Sequence, residues 1–252
     1  MKKTVLIACL ILSDIIALQA QEIFEDTNNL YGLKDKTGNI IVSGKYDDAN
    51  DFSEGVALVR LNGKYGYIDQ TGKEIIPLKY DGADKFQEGL AGAAIIDKEE
   101  QRRKYGFIDQ TGEVIIPLKY HTVEYFSDGL AAVKLDGKWG FVDKTGKEII
   151  PLKYKYVGYF YDGLAVVQLN DKFGIIDKTG NEVIPLIYSK LRGFSGEFAA
   201  VKLNDKWGFV DKTGKEVIPI QYDEVWDFGE GFGRVKLNGE WIVIDKTGKK
   251  VM

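Results

Sequence analysis

Lys138-Trp139-Gly140-Phe141-Val142-Asp143-Lys144-Thr145-Gly146-Lys147-Glu148-Ile149-Ile150-Pro151 decides the fold, because the chain writes this phrase seven times. An aromatic residue, a glycine in all copies but the last, and then Asp, Thr and Gly begin at Tyr31, Tyr65, Tyr105, Trp139, Phe173, Trp207 and Trp241. Successive anchors lie 34 residues apart, except for 40 between Tyr65 and Tyr105. A fixed period of this size marks a tandem repeat, in which each unit buries its apolar face against its neighbours.

Reading outward from the phrase, Leu130 to Leu135 is a short apolar run, and Asp136-Gly137 is a two-residue turn of the kind that closes tight hairpins. Lys138 to Asp143 then forms a second strand. Asp143-Lys144-Thr145-Gly146 reads as a type I turn, with the Asp side chain capping its own backbone and Gly taking a positive φ. Glu148 to Tyr154 is a third strand. All five prolines, Pro77, Pro117, Pro151, Pro185 and Pro219, fall at one place in that strand. Proline cannot donate to a ladder, so this strand is expected at a sheet edge or bulged. No stretch after the first 20 residues has a sustained 3.6-residue period. The expected fold is all-β: seven ~34-residue three-stranded antiparallel meanders in tandem.

The connecting segments carry a Tyr (Tyr46, Tyr80, Tyr120, Tyr154, Tyr188, Tyr222) and a Phe (Phe52, Phe86, Phe126, Phe160, Phe194, Phe228) at fixed places, expected to pack between units. The two ends of the chain both hold the second strand. They duplicate rather than complete each other, and the unit is short for a propeller blade of roughly 40–50 residues. A curved open array is therefore expected, with a propeller-like ring as the alternative.

Aromatic-Gly, Asp-Lys-Thr-Gly, Ile-Ile-Pro and a following Phe-x-x-Gly-Leu-Ala together resemble the WG repeat (also called KWG), a bacterial β-repeat family. The resemblance covers about residues 31–250. It departs where Tyr or Phe replaces Trp in four copies, where Ile242 replaces Gly, where Glu197 stands in place of Gly, and where Ser43 stands in place of Pro. It implies a repeat fold in exported or surface-associated bacterial proteins, and it implies no catalytic residues.

Lys2 and Lys3, the apolar run to Leu18 and the small Ala20 read as a secretory leader over residues 1–20, leaving residues 21–252 as one repeat domain. Cys9 is the only cysteine; it lies in the leader, in a stretch that resembles a lipobox. Cleavage after Ala20 is the favoured reading and leaves no cysteine. The net charge of −4 gives no electrostatic case for nucleic acid or an anionic membrane.

With one histidine, His121, at a variable position, no metal site, cofactor or nucleophile–His triad is expected. The series Asp35, Asp69, Asp109, Asp143, Asp177, Asp211 and Asp245 reads as turn caps rather than calcium ligands. The denser group Asp47, Asp48, Asp51 and Glu54 matches no calcium loop. Residues 97–104 are a charged hairpin excursion.

Positions that vary between copies yet occupy one structural place are the better functional candidates, because stacking lines them along one face. One series runs Asn50, Asp84, Glu124, Gly158, Arg192, Trp226; its neighbour runs Asp51, Lys85, Tyr125, Tyr159, Gly193, Asp227. Tyr125, Tyr156, Tyr159 and Tyr161 concentrate on adjacent copies, and Trp226 is an unpaired aromatic in the same series. These five are the expected ligand- or partner-contacting residues. The expected function is that of an exported, non-enzymatic scaffold binding a protein at the cell envelope; the alternative is carbohydrate binding on the tyrosine patch.

Overall fold

The computed structural model describes residues 21–226, 228, 229 and 231–252, so the leader, Cys9 and Asp227 lie outside the described residues. Seven antiparallel sheets follow one another along the chain, over residues 22–46, 48–80, 82–120, 122–154, 156–188, 190–222 and 224–245. We number them one to seven.

Sheet four shows how a unit is built. Leu130–Leu135 pairs with Lys138–Asp143 around Asp136 (φ 48°) and Gly137 (φ 78°), both left-handed as a type I′ turn requires. In the second turn Asp143 Oδ1 accepts from the Thr145 amide (2.9 Å), the Thr145 hydroxyl (2.6 Å) and the Lys147 amide (3.0 Å). The Thr145 hydroxyl, above all, holds this carboxyl below the usual range. The same bonds recur at Asp35, whose carboxyl is held at about 2, foremost by the Thr37 hydroxyl. The repeated aspartates therefore act as turn caps.

The expected three strands per unit need correction. Five sheets have four strands, because two or more residues of the connecting segment pair with the first hairpin strand, as Thr122–Val123 does with Lys134 and Val133. Glu148–Tyr154, carrying Pro151, is an edge strand and is also bulged: Trp139 faces Tyr154, but Phe141 already faces Ile150. The bulge explains the glycine of the anchor pair. A Cβ on Gly140 would lie 2.5 Å from the Ile150 carbonyl oxygen and 2.8 Å from the Leu152 nitrogen. Sheet seven has no bulged strand in that place among the described residues, and there Ile242 is tolerated.

The apolar residues sit between sheets. Tyr46, Tyr80, Tyr120, Tyr154, Tyr188 and Tyr222 are all buried. Rings also pair across the junctions: Tyr67 with Phe86, Phe107 with Phe126, and Phe141 with Phe160 at 4.8 Å, and Phe209 with Phe228 at 4.9 Å. Six buried clusters join the seven sheets in sequence, and among the described residues none joins sheet seven to sheet one. Six junctions among seven sheets make an open array, not a closed ring.

The end sheets show why. The face that each sheet turns to its predecessor carries a pair such as Ala57–Ile68 or Ala131–Val142, but in sheet one that pair is Glu22–Lys34, an ion pair at 3.4 Å. The face turned to the next sheet carries Leu58–Tyr67 or Ala132–Phe141; in sheet seven it carries Arg234–Val243. The Arg234 guanidinium lies 4.8 Å from the Trp226 ring and 5.0 Å from the Trp241 ring. Each outer face therefore carries charge where the inner faces carry an apolar pair, although Phe232 and Trp226 stay exposed on sheet seven.

These caps make a prediction. In sedimentation velocity the parent chain stays a single species with rising concentration. A variant carrying Glu22→Ala, Lys34→Ile and Arg234→Leu associates head to tail into dimers and larger species. A single unchanged species for that variant would show that the caps do not prevent stacking.

Candidate functional site

The junction between sheets five and six lacks, together, three contacts that each recur at several other junctions, and it carries a glycine at a fourth place. Ser53, Ser127 and Ser195 donate their hydroxyls to the carbonyls of Phe86 (2.7 Å), Phe160 (2.7 Å) and Phe228 (3.0 Å) in the next sheet. Tyr161 holds that place in sheet five, and its ring is 79% exposed. Glu54, Glu88 and Asp128 accept from the amides of Gly89 (3.0 Å), Gly129 (3.1 Å) and Gly163 (2.8 Å) one junction on. Asp162 instead meets Lys212 at 3.3 Å.

The reason lies in the turn that Asp162 would otherwise reach. Other copies order it acid-Gly, as in Asp128-Gly129, with both residues at positive φ. Sheet six orders it Gly196-Glu197, with only Gly196 at positive φ (65°), which converts a type I′ turn to type II′.

The third is Ile175, which stands where Tyr67, Phe107, Phe141 and Phe209 stand elsewhere and where sheet one has Leu33; among the described residues no ring pairs with Phe194, which is half-buried. The fourth is Gly193, aligned with Tyr125 and Tyr159; a Cβ built there meets nothing within 4 Å.

The outcome is a cavity of ≈ 640 Å³. Its floor is apolar, formed by Leu164, Val166, Phe173, Ile175 and Phe194, and its lip is Tyr156, Tyr159 and Tyr161. Gln168 and the three phenols are its polar side chains, and no Asp, Glu, Lys or Arg lines it. Two smaller cavities share its walls. One of ≈ 160 Å³ adds Glu124, and one of ≈ 270 Å³ adds Asp162 and Lys212. The whole forms a groove with an apolar middle and charged ends.

Tyr159 is the fixed element. Its ring stacks on Tyr125 (4.4 Å, 14° between planes), and its hydroxyl donates to Glu124 Oε2 at 2.7 Å. That bond, more than burial, raises the phenol above its usual range. Tyr156 rests edge-on against Phe173 at 6.4 Å.

Of the five residues expected from sequence, Tyr156, Tyr159 and Tyr161 therefore line one groove, and Tyr125 braces it from behind. Trp226 is not brought there: it is part of the Arg234 cap on sheet seven and lies edge-to-face against Trp241 at 5.7 Å. Ile175, Phe173 and Phe194 were missed, although Ile175 for Phe is visible when the copies are aligned. The aromatics before glycine are half-buried for the most part, and Phe173 is the one that lines the cavity. His121 lies 4.0 Å from Asp136. Asp47, Asp48 and Glu54 are each engaged separately, with the Asn62 amide, Arg60 and the Gly89 amide. Among the described residues no group of three or more His, Cys, Asp or Glu is arranged to hold a metal. In chemical terms the groove offers apolar contact, ring faces and a few hydrogen bonds.

The family model described as "WG containing repeat" matches residues 31–65, 65–95, 105–139, 139–173, 173–207 and 207–241, so the aromatic anchors bound its segments everywhere but at Ile95. A comparison with curated proteins returned no match. Among solved structures the chain is similar to one of a eukaryotic initiation factor, at 11% identity and a TM-score of 0.53, covering 92% of this chain and 73% of that one. It is also similar to Kluyveromyces lactis Hsv2 (12% identity, TM-score 0.43, 90% and 87% covered) and to the AfRom2 CNH domain (9%, 0.38, 88% and 92%). At these identities the first likeness concerns the fold alone.

Restoring the missing ring tests the origin of the cavity. Ile175→Phe should pair with Phe194, raise stability by about 1 kcal/mol and raise Tm by a few degrees in calorimetry. A fall in Tm would mean that the site is already filled and the ring overpacks it.

Proposed function

This chain belongs to the WG containing repeat family, and on that premise we propose that it is an exported, non-enzymatic binding module that holds a partner protein at the cell envelope. The observation that carries the reading is the groove between sheets five and six. Four of the other five junctions are closed by the same ring pair, while this one gives up ring pairing, a hydroxyl tie and an amide tie and gains an apolar cavity lipped by three exposed tyrosines. Exposed aromatic rings beside an apolar floor suit an anchor side chain of a protein partner, which such a floor can desolvate on binding. Export rests on the leader-like residues 1–20, and no helix among the described residues is long and apolar enough to cross a membrane.

Carbohydrate binding is the second reading, supported by the exposure of Tyr156 (49%) and Tyr161 (79%), whose rings are free to stack on sugar faces. The floor argues against it: a sugar brings many hydroxyls, and Gln168 is the one non-phenolic polar side chain in the main cavity.

A cross-linked pull-down from envelope extract, read for proteins and glycans, separates the two. The bait is residues 21–252, compared with Gly193→Tyr, which fills open space without touching the core, and with Tyr156→Ala/Tyr159→Ala/Tyr161→Ala. The expected result is enrichment of one protein that both variants lose. Enrichment of polysaccharide alone would favour the second reading. Protein enrichment untouched by either variant would place the binding face elsewhere.

A further inference from the structure

The end of the groove that reaches Glu124 has a chemistry of its own. The ≈ 160 Å³ cavity there is lined by Glu124, Tyr156 and Tyr159, and it shares Tyr156, Gly158 and Tyr159 with the apolar cavity, so the two spaces adjoin. Glu124 accepts from the Tyr159 hydroxyl, yet no Lys or Arg among the described residues pairs with it. Asp84 precedes it by one copy in the same series. Its carboxyl is raised first by desolvation and then by the charge of Glu124, although the residue keeps solvent access. Arg192, one copy further along, is committed elsewhere: its guanidinium lies 5.0 Å from the Trp207 ring and donates to the Val225 carbonyl at 3.2 Å. Ring faces beside an unneutralised carboxylate form a site for an organic cation, attracted by both the π-faces and the charge.

We propose that the groove recognises a segment of the partner in which an apolar side chain neighbours a lysine: the ammonium seats between Tyr156 and Tyr159 against Glu124, and the apolar group enters the cavity over Ile175. This rests on the protein-binding reading above and adds the chemical class of the residue recognised.

Hexylammonium, hexanol and hexanoate are the probes, titrated at neutral pH into residues 21–252 and followed by calorimetry or by shifts of the tyrosine ring resonances. Hexylammonium is expected to bind, hexanol more weakly, and hexanoate at least tenfold more weakly. Glu124→Gln keeps an acceptor for the Tyr159 hydroxyl, so the ring stays in place; it should weaken hexylammonium about fivefold and leave hexanol unchanged. Tyr159→Ala should weaken both. Equal binding of hexanoate, or a Glu124→Gln variant that binds hexylammonium as well as the parent, would overturn the proposal. Excess hexylammonium should also release the captured partner. If partner capture depends on the tyrosines but cation preference is absent, this inference falls and the binding reading stands. If cation preference is present but no partner protein is captured, the cation site stands and the protein-binding reading falls.

Discussion

A ring driven between neighbouring sheets is the interaction on which the rest of this molecule depends. A meander of about 34 residues is too small to bury a core of its own. The connecting segment solves this by sending a phenylalanine back across the junction, where it meets an aromatic on the second hairpin strand at 4.8 to 4.9 Å in four of the six junctions. Sheets that depend on a neighbour must stack in a row, and a row that does not close has two faces without a neighbour. The Glu22–Lys34 pair and the Trp226–Arg234–Trp241 stack answer that need.

The groove follows from the same constraint. Where Ile175 removes one ring and the Gly196-Glu197 order removes an amide from the reach of Asp162, the two sheets remain neighbours through Ile184, Tyr188, Ala199, Val201 and Val210 but no longer fill the space between them. The cavity therefore sacrifices packing at one junction, and the closed junctions on either side hold its walls in position. Tyr159 illustrates the arrangement: a copy-to-copy stack with Tyr125 fixes one face of its ring, leaving the opposite face toward the groove.

Much of this was legible in the sequence, and the parts that were not share a physical cause. Asp-Gly and Asp-Lys-Thr-Gly turns are dictated within a few residues, so they could be read directly, as could the edge position of the proline strand. The fourth strand could not, because a pair such as Thr122–Val123 is too short for any alternation and forms only where the first hairpin strand offers a free edge. Tyr156, Tyr159 and Tyr161 could be placed beside one another because variable positions in fixed register lie along one face. Ile175 was passed over because a missing ring matters only through Phe194 across the junction, and Gly193, though it stands in the variable series, marks open space that only the structure reveals. Trp226 shares the register of the groove residues but sits in the last sheet, where no following sheet exists to make a groove with it.

The most direct test is a pair of double-mutant cycles in denaturant unfolding. Phe141→Leu and Phe160→Leu, singly and together, probe a closed junction; Ile175→Leu and Phe194→Leu probe the open one. The account predicts a coupling of about 1 kcal/mol between Phe141 and Phe160 and close to none between Ile175 and Phe194. Additive effects at Phe141 and Phe160, or equal coupling at both junctions, would contradict the claim that ring pairing holds the sheets together and that its loss opens the groove.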